Sequence, residues 1–190
     1  MRPHFALARI SSWSALSKMF ILSPVFIAFF WCGPRTLGAD SMPANSLPQV
    51  QLDARNAGPR TLENLTQQNI GRHYANAWQN LAAAFEHNAP TSLSDYFVGA
   101  AREQLGQAVA DQQKAGLHSR YRDQRHKVDV VFYAPEGDII ELHDSVECDF
   151  EVFEGEKSIH NEPAVLRYVV LMTPSADRWV IRQLQAVSQF

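Results

Sequence analysis

The pattern of apolar residues along the chain is helical in its first folded part. Between residues 62 and 87, apolar side chains recur every three or four positions, which predicts an amphipathic helix. Gly71 predicts a bend or break in it, since glycine costs about 1 kcal/mol relative to alanine. A second helix is expected next, because Ser92 and Asp95 have the spacing of a capping box and Gly116 is typical of a helix end.

From Ser119 onward the period changes from 3.6 to 2, which indicates strands. The clearest alternation runs from Leu142 to Val152. Polar turns at residues 135–138, 154–161 and 173–177 divide the segment into four strands. Helices followed by strands with short connections predict an α+β fold, in which the N-terminal helices pack on a curved antiparallel sheet of four or more strands.

The first 39 residues have the pattern of a targeting segment. Arg2, Arg9 and Lys18 precede a 14-residue apolar run, residues 19–32, and Ala39 offers a cleavage position. The run has the length of a secretory signal and is short for a membrane span, so a cleaved signal peptide and a retained short anchor remain alternatives. Both predict an exported (periplasmic or extracellular) protein or one tethered to the membrane by residues 19–32.

Residues 40–61 are rich in Pro, Asn, Ser and Ala and predict a linker, which leaves residues 62–190 as the folded domain. All acidic residues lie at or after Asp40, so residues 40–190 carry 13 basic and 20 acidic side chains and a net charge of −7. Such an acidic domain is a poor nucleic-acid binder. Cys148 would be alone after signal cleavage, and its place among apolar residues predicts a buried thiol.

Several short pieces of sequence carry a resemblance to a known family. They are Asp95-Tyr96-Phe97-Val98-Gly99-Ala100-Ala101, Leu105, Gly116-Leu117, Tyr121, Arg167-Tyr168 and Arg178-Trp179-Val180-Ile181. Together with the element order, they make residues 62–190 resemble the nuclear-transport-factor-2-like (cystatin-like cone) superfamily, and locally the intermembrane-space domain of chloroplast division proteins and their bacterial relatives. The resemblance implies a cone around a cavity. That superfamily includes isomerases, cyclases, dehydratases, transport adaptors and scaffold domains, and fold does not choose among them.

The inner face expected of the sheet carries Val128, Val130, Phe132, Leu142, Asp144, Val146, Cys148 and Phe150. Asp144 is the one acid that interrupts this apolar series. A carboxylate inside an apolar cone suits general acid/base chemistry, and Tyr74, Trp78 and Tyr168 are candidate neighbours for a cavity ligand. The alternatives are a solvated Asp144 near the start of its strand and aromatic residues that serve only as core. His143 cannot pair with Asp144, because adjacent residues on a strand point to opposite faces.

Other sites are not indicated. The histidines and cysteines lack metal-ligand spacing, and no phosphate loop, nucleophile elbow or cofactor motif is present, so we expect no metal or cofactor. A basic stretch, residues 114–127, and an acidic one, residues 136–156, would lie on neighbouring strands, where cross-strand pairing accounts for them. A partner-docking surface is the alternative.

The sequence therefore favours an extracytoplasmic protein-interaction or scaffold domain without catalysis. The alternative is a small apolar ligand-binding protein, or an isomerase- or cyclase-like enzyme that uses the cone. A buried Asp144 within hydrogen-bond reach of Tyr74 or Tyr168 would favour the alternative. The partner would be another protein at the membrane or envelope, a small apolar ligand, or a second copy bound through the sheet.

Overall fold

Two helices and five strands make up the part of the chain that the structure describes. The computed structural model describes residues 47–190, so the predicted targeting segment and residues 40–46 of the predicted linker lie outside the described residues. The elements in chain order are β1 (Gln49–Asp53), α1 (Asn64–Glu86), a short 3-10 helix (Pro90–Leu93), α2 (Gly99–Lys114), β2 (Leu117–Tyr133), β3 (Ile140–Glu154), β4 (Lys157–Ser175) and β5 (Arg178–Ala186).

The strands form one mixed sheet in the order β1-β2-β3-β4-β5. Strands β2 to β5 are antiparallel neighbours, as the short turns predicted, and β1 adds a parallel strand beside β2. Both helices contact β2 and β5, and α1 also contacts β1, so the helices cover one face of the sheet. The predicted α+β architecture is confirmed.

The face of the sheet under the helices holds the core. Its residues alternate with exposed or half-buried ones along β2 and β3, as the period of two predicted. The buried members of the predicted inner face are Val128, Val130, Leu142, Asp144, Val146 and Cys148. Phe132 was expected among them but is 39% exposed, because a bulge between Val130 and Phe132 turns it outward and buries Tyr133 instead.

Three local expectations differ from the structure. Part of the predicted linker is folded, since residues 49–53 form β1. The capping box at Ser92 and Asp95 is wrong: residues 90–93 form a separate 3-10 turn, and α2 begins at Gly99 without a side-chain cap. Helix α1 continues through Gly71, because buried residues on both sides of it, from Ile70 to Ala84, pack into the core.

Candidate functional site

Three side chains from three different elements meet at one carboxylate oxygen. The Tyr74 hydroxyl donates a hydrogen bond to Asp144 Oδ2 at 2.6 Å, and His126 Nδ1 lies 2.8 Å from the same oxygen. The other ring nitrogen of His126, Nε2, lies 3.4 Å from Gln124 Oε1. We call Tyr74, His126 and Asp144 the buried polar cluster. It links α1, β2 and β3 through hydrogen bonds in the centre of the core.

The register of the sheet explains how this cluster forms. Asp144 is paired with Val128 on β2 and with Tyr168 on β4, so these residues lie in one row across the inner face. His126 is two residues before Val128 and faces the same side, which makes it a diagonal neighbour of Asp144. Tyr74 comes from α1, which lies over this part of the sheet.

Aromatic rings enclose the cluster. Trp78 is four residues after Tyr74, on the same face of α1, and the centroid of its ring system lies 4.7 Å from that of His126 and 5.3 Å from that of Tyr168. The Tyr74 ring meets the His126 ring edge-on at 5.8 Å. These contacts fix the orientation of the imidazole from two sides.

The cluster has no contact with solvent. Tyr74 and Asp144 are 0% exposed, and His126 and Trp78 are 1% exposed. Two polar atoms at its border have no hydrogen-bond partner, Asp144 Oδ1 and Trp78 Nε1. The indole N–H of Trp78 lies close enough to the Tyr74 hydroxyl to lower the pKa of that phenol slightly, but the geometry is not that of a hydrogen bond. Buried orphan atoms are uncommon and mark a place where a small polar molecule would gain a bond.

Burial keeps both phenols of this region protonated. Removal from water raises the pKa of Tyr74 well above its ordinary value, and the Asp144 carboxylate raises it further. The pKa of Tyr168 is also raised, first by burial and then by Cys148 and Asp144. These tyrosines therefore act as hydrogen-bond donors or as apolar walls, not as bases, at any physiological pH.

The structure brings all four predicted cavity residues together. Tyr74, Trp78, Asp144 and Tyr168 lie in one contiguous region, and the expectation of a solvated Asp144 is wrong, because α1 covers this part of β3. His126 was missed as a site residue. The signal was present, since stepping back by two residues from Val128 along the alternation places His126 on the same inner face.

The outer face of the sheet carries the charged stretches. Cross-strand ion pairs join Arg125 and Lys127 of β2 to Glu147 of β3, as expected from their order in the sequence. His143 also faces this side, apart from Asp144, and its ring stacks on that of Phe190 at 4.5 Å. These pairs account for part of the basic and acidic stretches without a partner.

Open space lies at a different place, beside β1. One pocket of about 470 Å³ is lined by Val50, Leu52, Asn64, Gln67, Gln68, Gly71 and Arg72, and we call it the β1 groove. A neighbouring pocket of about 600 Å³ shares Leu52 and Gln67 with it. Neither pocket is lined by Tyr74, Trp78, Asp144 or Tyr168.

Residues 47–190 lack the features of a metal site and of a membrane-spanning helix. They contain no group of three or more His, Cys, Asp or Glu side chains placed to hold a metal ion. In the same part of the chain, neither helix combines the length and the apolar character needed to cross a membrane. The buried polar cluster is thus a hydrogen-bonded group of one acid, one imidazole and one phenol.

Comparison with known proteins supports the fold. Neither a family model nor a curated protein matches the sequence. Among solved structures, the chain is similar to the intermembrane space region of the chloroplast protein ARC6, with a TM-score of 0.54 and 14% identity over 68% of this chain and 98% of that one. The local resemblance inferred from the sequence is confirmed, and at this identity it shows the fold alone.

A second similar structure comes from Xanthomonas campestris and is described as a calcium/calmodulin dependent protein kinase II association domain. It shares 17% identity with this chain and covers 61% of it, against 85% of its own length, with a TM-score of 0.38. That TM-score is too low to support a fold assignment.

Proposed function

We propose that this chain is an extracytoplasmic domain that binds another protein and has no catalytic activity. The observation that carries the non-catalytic part of the proposal is the complete burial of Asp144. This residue is the one acid on the inner face of the sheet, and it is 0% exposed with one oxygen already shared by Tyr74 and His126. A carboxylate so enclosed links three elements through hydrogen bonds and is not accessible to a substrate as a base.

The solved structure that shares the fold is described as an intermembrane space region, and this description agrees with the proposed location. The charged residues before the 14-residue apolar run of this chain fit export in the same direction. We further infer membership in the nuclear-transport-factor-2-like superfamily, on the basis of two helices covering one face of a strongly paired sheet.

One observation favours the competing function, a small apolar ligand-binding protein or an isomerase- or cyclase-like enzyme. Asp144 is buried and bonded to Tyr74, which is the arrangement expected of such a ligand site or active site. In addition, Asp144 Oδ1 is an acceptor without a donor, and Trp78 Nε1 is a donor without an acceptor. A ligand would need Tyr168 or Trp78 to move aside, because these aromatic rings pack against each other over the cluster. We therefore place this function second.

Crosslinking in the cells that make the protein tests the proposal. The full chain, tagged at its C-terminus, is crosslinked in intact cells, and the adducts are identified by mass spectrometry. We expect a reproducible protein adduct, an N-terminus within a few residues of Asp40 or a retained anchor, and digestion by protease added outside the cytoplasmic membrane. Recovery of the full chain from the cytosol without adducts would overturn the proposal.

The Asp144→Asn variant separates the two functions. The amide keeps the shape of the carboxyl group and removes its charge. A binding domain whose cluster is structural keeps its crosslinked partner as long as the variant folds. If the protein is an enzyme that depends on Asp144, the variant keeps its fold and loses turnover. A small-molecule product then accumulates with the unaltered chain and not with the variant.

A further inference from the structure

Strand β1 lies at the edge of the sheet, and one of its two sides has no partner strand among residues 47–190. The other side pairs with β2. The backbone donors and acceptors on the open side therefore bond to no strand in the described part of the chain. The Gln67 side-chain amide of α1 donates to the Leu52 carbonyl at 2.9 Å, so one backbone acceptor of β1 already takes a donor from outside the sheet.

The β1 groove gives a second strand room to lie along this edge. The five residues of β1 span roughly 17 Å, and the volume of about 470 Å³ is within the usual range of ligand sites, about 300–1,000 Å³. Val50 and Leu52 line the groove with half-buried apolar side chains. A strand added here would find backbone partners on one side and apolar contacts below.

The fold of the domain does not require a glycine at position 71. It lies inside α1 and lines the groove, where glycine costs about 1 kcal/mol relative to alanine. A Cβ atom added at Gly71 would meet nothing within 4 Å, so packing inside the chain does not require the missing side chain. Close approach of another backbone is one physical use of glycine at such a position.

The charge of the groove selects the occupant. Arg72 is the only charged residue that lines it, and among residues 47–190 its guanidinium makes no ion pair; its Nη2 donates to Asn69 Oδ1 at 2.8 Å. The domain as a whole is acidic, so this cation stands apart from the general charge. An occupant with a carboxylate beside Arg72 would complete the site.

We propose that the β1 groove binds an extended, acidic segment of a partner protein, which adds as a strand to the free edge of β1. Backbone hydrogen bonds to β1 supply affinity, apolar side chains of the segment contact Val50 and Leu52, and a carboxylate pairs with Arg72. The inference rests on the proposed protein-binding function and assigns it to one surface.

Peptide selection on the full chain tests the site. The probe is a phage-displayed library of random seven-residue peptides, selected on the full-length chain in detergent and then measured as labelled peptides by fluorescence anisotropy. We expect selected peptides with alternating apolar residues and at least one Asp or Glu. The Gly71→Leu and Arg72→Glu variants should each weaken binding about tenfold or more, the loss typical of a central anchor.

Two variants on α2 serve as matched controls. A Cβ at Gly106 also meets nothing within 4 Å, and Arg102 is exposed on the same helix. Gly106→Leu and Arg102→Glu should leave binding unchanged, and thermal melting should show that all four variants fold. Absence of binders, binders without acidic residues, or equal binding by the Gly71→Leu variant would each overturn the inference.

The native crosslink separates this inference from the proposed function. If the Gly71→Leu chain still crosslinks its cellular partner, the partner binds elsewhere, and the protein-binding function stands while the β1 groove is excluded. If the unaltered chain has no partner, the function itself fails.

Discussion

His126 Nδ1 lies 2.8 Å from Asp144 Oδ2, although the two residues are diagonal neighbours and not direct partners in the ladder between β2 and β3. The imidazole and the carboxylate reach each other because both side chains point to the inner face and are fully buried. Water cannot replace either partner in this buried site, so loss of one partner lowers the free energy of unfolding by the full cost of leaving the other unsatisfied.

Removal of the Asp144 carboxylate should destabilise the domain strongly. In the Asp144→Ala variant, the Tyr74 hydroxyl and His126 Nδ1 lose their shared acceptor inside the core. We expect this to cost about 2–6 kcal/mol in the free energy of unfolding, about 1–3 kcal/mol for each group left without a partner. Urea denaturation of the purified chain measures the loss.

The Tyr74→Phe variant should lose less, about 1–3 kcal/mol, since His126 remains bonded to Asp144. Its matched control is Tyr96→Phe, which removes a half-buried hydroxyl that accepts from Asn76 Nδ2 at 3.1 Å and should change stability by less than about 1 kcal/mol. If the two variants lost the same free energy of unfolding, the buried hydrogen bond of Tyr74 would stabilise the domain no more than the half-buried one of Tyr96.

The overall fold followed from the sequence because its signals are local. The change of period from 3.6 to 2 near Ser119 fixed the two helices and four antiparallel strands. Strand β1 escaped prediction, because five residues with weak alternation become a strand only when β2 lies beside them. Its parallel pairing joins residues 76 positions apart, such as Gln49 and Arg125, and no local pattern reports that.

The candidate site was predicted in part for a related reason. Tyr74, Trp78, Asp144 and Tyr168 were selected from the apolar faces of their elements, and the register brings them together. His126 was overlooked because a polar imidazole does not mark an apolar face, although the alternation back from Val128 places it on the inner face. Whether space remains between α1 and the sheet depends on tertiary packing, which no local sequence pattern reports.

His73 should make the stability depend on pH. The Trp179 backbone N–H donates to His73 Nδ1 at 3.1 Å, which requires that nitrogen to be unprotonated. Burial, followed by the charges of Arg72 and Arg178, lowers the pKa of His73 below its ordinary value of 6.5. The unfolded chain therefore binds the proton more readily, so stability is complete above about pH 6.5 and falls as the pH drops from there towards the folded pKa.

Denaturation curves between pH 5 and 8 test this pH dependence, because histidine titrates in that range. The His73→Asn variant should show a shallower slope than the unaltered chain, since its side chain does not titrate. The His87→Asn variant is the control, because His87 is exposed at the end of α1. Identical slopes for the unaltered chain and His73→Asn would exclude His73 as the source.

Cys148 should react slowly with thiol reagents. It is 6% exposed between Val146 and Phe150 on the inner face of β3, and burial raises the pKa of its thiol to about 11. In a Cys32→Ser chain, a chromogenic disulfide reagent at neutral pH should label Cys148 much more slowly than a cysteine at the exposed neighbour, made by Asp149→Cys with Cys148→Ala. Equal rates would mean that this end of β3 opens readily.

Trp179 should be a core residue whose loss cannot be absorbed. Its side chain is 9% exposed at the start of β5, and the centroid of its ring system lies 6.4 Å from that of Tyr133. Trp179→Ala would leave a cavity and should lower the free energy of unfolding by about 3–5 kcal/mol. Arg182→Ala, on an exposed position of the same strand, should stay within about 0.5 kcal/mol of the unaltered chain. If Trp179→Ala cost less than about 1 kcal/mol but abolished the cellular crosslink, Trp179 would be a partner contact instead.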